Sequence, residues 1–452
     1  MKSTTYSNAL VLGLGVSGAA AAGLLLGEGT HVTAVDEAAG KDVLARGANL
    51  ERAGATVRTA AKELPGGEFD VCVVSPGIPP GGDWVAQLEQ RGVPVISELE
   101  LGALRCRCPC LAVTGTNGKS TLTRLCADVL QHAGRRTAVA GNYGTPLCNL
   151  APASGELDWM AVEVSSFQLE RTYSFHPSVS VLLNLQPDHL DRHGDIQTYL
   201  RMKARLFDNM TAGDTAVVPV AMAEELAGVV THAGQGPAWV TFGATRDSDI
   251  RYNRGRIHMS GGGSEAEIDI SGSYFGNCVL GLTAAAAAAA SRACGCDSQV
   301  LEEACRGFKP LPHRMTTVME LNGVRFVDDS KATNLSALGA ALRMADRPVR
   351  LIAGGLLKEG NLKSIEEILV KKTCALYVIG KAAAEMAAAW GGAVPCKRCG
   401  TLKRAVRESW KEARSGETIL LSPGCASFDQ FRNFEDRGNQ FTRIARSINE
   451  ET

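Results

Sequence analysis

The chain of 452 residues lacks an excess of charge of either sign: 47 Lys and Arg stand against 48 Asp and Glu, a formal net charge of −1. That balance gives no footing to nucleic acid or an acidic membrane surface as a partner, and a small-molecule enzyme fits better. Apolar runs are too short, or too broken by Gly, to span a bilayer, so no membrane insertion is expected. Met1 to Ser7 is polar, without the apolar core of a secretory signal, and a cytoplasmic protein is expected. No repeat of solenoid period is present. A complete zinc set is also missing, because Cys396-Lys397-Arg398-Cys399 has the spacing of half a zinc knuckle and no second Cys or His pair completes it. The fourteen Cys, including the alternating Cys106, Cys108 and Cys110, are scattered through a chain with no export signal and are expected to be reduced thiols.

What is present starts with Val113-Thr114-Gly115-Thr116-Asn117-Gly118-Lys119-Ser120-Thr121, where an apolar strand (Leu111 to Val113) runs into a glycine turn and then a helix. Gly115 and Gly118 let the backbone curl so that amides and the helix N-terminus face phosphates; Lys119 supplies a charge and Ser120 a hydroxyl for Mg²⁺. The loop is a short variant, since Val113 stands where a standard phosphate loop has its first glycine.

The length exceeds one ordinary core and predicts about three domains. The first opens with a strand (Ala9 to Leu12), Gly13-Leu14-Gly15-Val16-Ser17-Gly18, an Ala/Leu-rich helix, and a strand from His31 to Val35 that ends at Asp36. This is the Rossmann pattern, which suggests an NAD enzyme when taken alone but serves any ligand with a pyrophosphate and a ribose. A further strand, Phe69 to Val74, leads into Ser75-Pro76-Gly77-Ile78-Pro79 at its carboxyl end, where ligands sit in open α/β sheets. Beyond a boundary near Glu100 to Arg107, strands Trp159 to Val164 and Val179 to Leu183 end in polar groups, and Ala284 to Ala290 reads as core helix. After a second break at Phe308 to Pro312, strands Val324 to Val327, Val349 to Ile352, Ala375 to Ile379 and Thr418 to Leu421 alternate with helical stretches and predict a third α/β unit.

Read together, these motifs resemble the Mur ligases of peptidoglycan synthesis over essentially the whole chain, and within them the glutamate-adding branch. The resemblance is carried by Gly13 to Gly18, Ser75 to Ile78, Gly115 to Thr121, Gly141-Asn142-x-Gly144, Glu163-x-Ser-Ser-Phe-Gln168, Asp188-His-Leu-Asp-Arg192, Lys203, Leu311-Pro-His-Arg314, Asp329-Ser-Lys-Ala-Thr-Asn334 and Ser427 to Phe434. It implies an α/β fold of three domains: a Rossmann-like UDP-binding domain at 1–104, a central P-loop-type ATPase domain at 105–310, and a Rossmann-like C-terminal domain at 311–452. It also implies ATP-dependent amide formation, in which the carboxylate of UDP-N-acetylmuramoyl-L-alanine is phosphorylated and the amine of glutamate attacks the acyl phosphate. The implied partners are these small molecules and ATP, acting on a monomer.

Residue by residue, the resemblance gives Gly115, Thr116, Asn117, Gly118, Lys119, Ser120 and Thr121 to ATP, with Arg314 and Asp329 as nucleotide contacts from the third domain. Two Mg²⁺ sites are implied, held by Ser120, Glu163, His189 and Lys203 as a carbamate; by spacing alone Lys203 is an ordinary helix-surface lysine. Lys119, Glu163, His189 and Lys203 form the implied catalytic set. Val16, Ser17, Asp36 and Gly77 match contacts around uridine and diphosphate; Asn142, Ser165 and Gln168 match contacts to the muramoyl group. Lys331, Thr333, Lys358, Ser427 and Phe434 match the glutamate pocket.

The chain departs from the pattern at Gly276-Asn277-Cys278-Val279-Leu280, where Leu280 replaces an Asn that touches nucleotide, and at Gly354 to Lys358, which lacks a polar residue before the lysine. Three other readings compete. An NAD oxidoreductase leaves Lys119 without a role, and a diaminopimelate-adding ligase calls for an Asp-Asn-Pro-Arg motif that is absent. A nonfunctional binding homologue is motivated by Leu280.

Overall fold

A computed structural model describes residues 5–230, 234–260, 266–358 and 360–451. Three sheets organise the described residues. The first has five parallel strands in the order Thr56–Arg58, His31–Val35, Asn8–Leu12, Val71–Val74, Val95–Ser97. Alternation along Asn8–Leu12 explains its burial on both faces: Ala9 and Val11 pack with Ala21 and Leu25 of helix Val16–Gly27, while Leu10 and Leu12 pack with Val85 and Leu88 of helix Asp83–Gln90.

The second sheet has nine strands, with Cys110–Thr114 between Val179–Leu182 and Trp159–Glu163, and Thr137–Gly141 at one edge. The other side runs through Thr215–Pro219, Ala238–Gly243 and Ile250–Asn253 to the antiparallel strands Arg256–Met259 and Ala266–Asp269. The alanine run lies in helix Leu280–Ala293, with Ala284 to Ala290 all buried. The third sheet is ordered Thr316–Leu321, Val324–Asp328, Thr418–Leu421, Val349–Gly354, Thr373–Ile379, Cys396–Gly400, antiparallel only at its first pair. Both of its faces are covered: Leu351 and Ala353 join Leu338, Leu369 and Trp390 on one side, and Ile352 joins Val406, Phe441 and Ala445 on the other.

The chain divides into two compact units. The first holds the first and second sheets (1–185, 192–269, 282–306); the second holds the third sheet together with 186–191 and 270–281. Within the first unit, buried Glu100 joins the segment after the first sheet to the second, accepting the backbone amides of Tyr173, Ser174 and Phe175 at 2.9, 2.8 and 3.2 Å.

Candidate active site

In the first unit, strand Cys110–Thr114 delivers the glycine turn to the start of helix Lys119–His132. Gly118 caps that helix in the left-handed conformation (φ 84°), and a Cβ there would lie 2.9 Å from Leu183 Cδ2. The turn is held by a residue the motif does not name. Asn184, just past strand Val179–Leu182, accepts the amides of Thr116 and Asn117 on Oδ1 at 3.1 and 3.0 Å and donates to the Asn117 carbonyl at 2.9 Å. Those two amides are therefore bonded to Asn184, which differs from the expectation that they face phosphates. The first turn of the helix holds Lys119, Ser120 and Thr121. Lys119 Nζ folds back to the carbonyls of Gly115 and Thr116 at 2.8 and 2.9 Å.

Glu163 ends the strand paired with Cys110–Thr114, in register with Val113. It is 2 % exposed; Oε1 accepts Asn142 Nδ2 at 2.6 Å, and Oε2 is buried with no hydrogen-bond partner among the described residues. Asn142 reaches it because the preceding turn takes φ 95° at Gly141, where a Cβ would lie 2.2 Å from the Glu163 carbonyl oxygen. Burying an unpaired carboxylate oxygen is costly, so this oxygen fits a cation ligand. Lys203 does not lie on a helix surface as its spacing suggests: it is 1 % exposed, its Nζ donates to Gly115 O at 2.9 Å, and it sits 4.6 Å from the centre of the Tyr199 ring. Spacing could not show this, because the acceptor comes from the glycine turn. Among the described residues no group of three or more His, Cys, Asp or Glu side chains is arranged for a metal.

The first sheet carries a cavity of about 560 Å³ lined by Val16, Ser17, Asp36, Gly77, Ser75, Lys62 and Trp84 among others. Asp36 also braces the fold, since its two oxygens accept the amides of Leu14 (2.6 Å) and Ala38 (2.8 Å) and tie the glycine turn to the end of the second strand. Ser165 and Gln168 bond to each other in a capping box at the start of helix Ser166–Leu169. The cavity therefore collects the four residues expected around uridine and diphosphate, while Asn142, Ser165 and Gln168 sit after strands of the second sheet.

In the second unit, His189 has φ 58° and its Nε2 lies 3.7 Å from Asp188 Oδ2. Asp188 also accepts Asn334 Nδ2 at 2.9 Å and pairs with Lys358 Nζ at 3.8 Å. Lys331 Nζ stands 3.7 Å from the centre of the Phe434 ring. The loops bearing Lys358 and Ser427 are bridged by Leu356 and Ala426, an approach that requires Gly355 (φ 138°), whose Cβ would lie 2.4 Å from Ala426 O. Thr333 directly precedes Asn334, the N-cap of helix Leu335–Met344. Sequence reasoning missed Arg437, which is fully buried and bonds Ser330 Oγ, Ser330 O and Cys425 O at 2.9, 2.8 and 3.0 Å. Burial lowers Arg437 to about 10.

Asp329 is buried, accepting Ser422 Oγ at 2.8 Å and the Met315 amide at 3.2 Å; burial raises it to about 7 against those bonds and the Arg314 charge. Leu280 is buried at the start of its helix, which Asn277 Oδ1 caps through the Val279 and Leu280 amides. Cys396 and Cys399 lie on one strand and pack into the cores on opposite faces of the sheet, so they do not converge on one ion.

Residues 113–289 match the Mur ligase middle domain, and residues 313–425 match the Mur ligase glutamate ligase domain. The UDP-N-acetylmuramoylalanine–D-glutamate ligase of Desulfatibacillum aliphaticivorans is 34% identical over 97% of this chain and 98% of its own length. The protein of that name from Desulfotalea psychrophila is 38% identical over 97% and 95%. The crystal structure of UDP-N-acetylmuramate-alanine ligase from Thermotoga maritima matches with a TM-score of 0.61 at 16% identity, covering 98% of this chain and all 100% of that one, a likeness of fold. Carrying its family's match along nearly its whole length, the chain belongs to the UDP-N-acetylmuramoylalanine–D-glutamate ligases of the Mur ligase family.

Proposed function

We propose that the chain joins D-glutamate to UDP-N-acetylmuramoyl-L-alanine at the expense of ATP, releasing ADP and phosphate. The observation that carries this reading is Glu163: a buried carboxylate with one oxygen unpartnered among the described residues, on the strand beside a phosphate loop. A carboxylate is a poor acyl donor because its leaving group is oxide. Phosphorylation supplies a better one, and the glutamate amine then displaces phosphate. Lys119 neutralises the phosphates, and Ser120, Glu163, His189 and carbamylated Lys203 hold Mg²⁺. When bound, Mg²⁺ offsets charge on the transferring phosphoryl group.

The carbamate is supported by the position of Lys203, because two ammonium groups sharing the Gly115 carbonyl repel. Addition of CO₂ to the neutral amine, with loss of a proton, turns that repulsion into attraction. Arg314 and Asp329 serve the nucleotide. Val16, Ser17, Asp36 and Gly77 serve uridine and diphosphate; Asn142, Ser165 and Gln168 serve the muramoyl group. Lys331, Thr333, Lys358, Ser427 and Phe434 serve glutamate, a dicarboxylate that needs fixed cations and donors. The domains run 1–104, 105–310 and 311–452, and the enzyme works as a cytoplasmic monomer; no helix among the described residues is long and apolar enough to cross a membrane.

Phosphate release on mixing ATP, UDP-N-acetylmuramoyl-L-alanine and glutamate is the test. Release with D-glutamate and not L-glutamate is expected. Release without the muramoyl substrate, or none with either glutamate, overturns the reading.

A further inference from the structure

The loop after strand Val71–Val74 makes a tight turn, with the Ile78 amide donating to Ser75 O at 3.0 Å. Pro76-Gly77 occupies its centre. That pair suits a type II turn, which needs a left-handed φ near +80° at the glycine. Gly77 does not take one. The central peptide is thus turned over relative to a type II turn, and one side chain bonds it in that orientation. Arg192 donates from Nη1 to Pro76 O at 2.8 Å and from Nη2 to Ile78 O at 3.0 Å. Its guanidinium is fixed in turn: Nε reaches Glu170 Oε1 at 2.9 Å, Nη2 also bonds Glu170 Oε2, and Cζ lies 4.2 Å from the centre of the Phe167 ring. Both charged side chains are largely buried. Paired and desolvated, this arginine is a rigid clamp.

In a trans peptide the N–H points opposite to the carbonyl before it. With the Pro76 carbonyl held by Arg192, the Gly77 N–H is directed away from Arg192, and Gly77 lines the cavity of the first sheet. We infer that Arg192 is a positioning residue: it holds the Pro76–Gly77 peptide so that an amide donor, and not a carbonyl oxygen, is presented to the diphosphate of the UDP substrate. This inference rests on the proposed function for its ligand. A flipped peptide turns an acceptor toward two negative phosphates, and binding weakens.

The test is a double-mutant cycle. Arg192→Ala is expected to raise the KM for UDP-N-acetylmuramoyl-L-alanine about ten- to a hundredfold, with the KM values for ATP and glutamate unchanged. Alanine at position 77 disfavours the left-handed φ that the flip requires, and a Cβ there meets nothing within 4 Å. In a Gly77→Ala background, Arg192→Ala should therefore cost only about threefold or less. Equal costs in both backgrounds, or a parallel rise in the KM for ATP, overturn the inference. A crystal structure of R192A separates this from the proposed function: a left-handed Gly77 supports the clamp whatever the substrate proves to be, and an unflipped peptide refutes it even in an active ligase.

Discussion

Lys119 and Lys203 donate to the same acceptor, the carbonyl oxygen of Gly115, at 2.8 and 2.9 Å. One comes from the helix that the glycine turn opens, the other from helix Ile196–Ala204. Two cations on one oxygen, one of them almost wholly buried, repel each other, and an anion placed beside them would relieve that repulsion.

Replacing Lys203 by Ala should therefore reduce ATP-dependent ligation by roughly 10–100-fold or more, as for loss of a group that orients a metal site. Acetate or formate should restore part of it, because a small carboxylate can enter the space left and supply the missing anion. Full activity of Lys203→Ala without additives would make the lysine a packing residue.

Lys358 gives a contrast in kinetics. Its Nζ lies 3.8 Å from Asp188 Oδ1, a loose ion pair in the second unit. Lys358→Ala should raise the KM for glutamate about ten- to a hundredfold, the equivalent of about 1.5–3 kcal/mol for a charged hydrogen bond, and leave the KM for ATP alone. A rise confined to ATP would place Lys358 at the nucleotide.

Asp329 should set a pH dependence of stability. Burial raises it to about 7, so between roughly pH 4 and 7 the folded chain keeps a proton that the unfolded chain has released. Stability contributed by this group is complete below that window and falls as pH rises through it, by up to about 1.4 kcal/mol per pH unit. Thermal unfolding of Asp329→Asn across that range should show a flatter profile than the parent; an unchanged slope would assign the dependence to other groups.

Cys106 should be the distinctive thiol of the chain. Its Sγ lies 3.7 Å from Cys108 and 3.9 Å from Cys110, and hydrogen bonds from both thiols hold it well below the usual thiol range. The hydrogen bond to Cys106 and then burial push Cys110 up. Alkylation followed by peptide mass spectrometry should find that the Cys106 rate rises less steeply between about pH 6 and 9 than that of an ordinary thiol, since its thiolate forms at lower pH. A tenfold rise per pH unit would mark it as an ordinary thiol.

The parts of the fold written in local pattern were legible in the chain. Runs such as Leu111 to Val113, a glycine turn and Lys119-Ser120-Thr121 declare strand, loop and helix together, and the extended second sheet with its two antiparallel strands declares nothing so compact. Pairing of short strands such as Arg256–Met259 and Ala266–Asp269 depends on partners and not on period. The same distinction runs through the site. Lys119 is named by its own neighbours in sequence, but the hold of Asn184 on Thr116 and Asn117, the burial of Lys203 and the Asn142 contact to Glu163 are facts of segments distant in sequence meeting in the fold. Asn184 had one visible sign, a polar residue directly after an apolar strand.

Arg437 places an order in time on the making of the second unit. Its guanidinium holds Ser330 from 107 positions further along the chain and Cys425 from 12. A ribosome finishes the segment with Lys331 and Thr333 well before it adds the residue that fastens it, so that segment emerges without its clasp and waits. At ribosomal speeds of roughly 5–20 residues per second, the wait lasts on the order of five to twenty seconds.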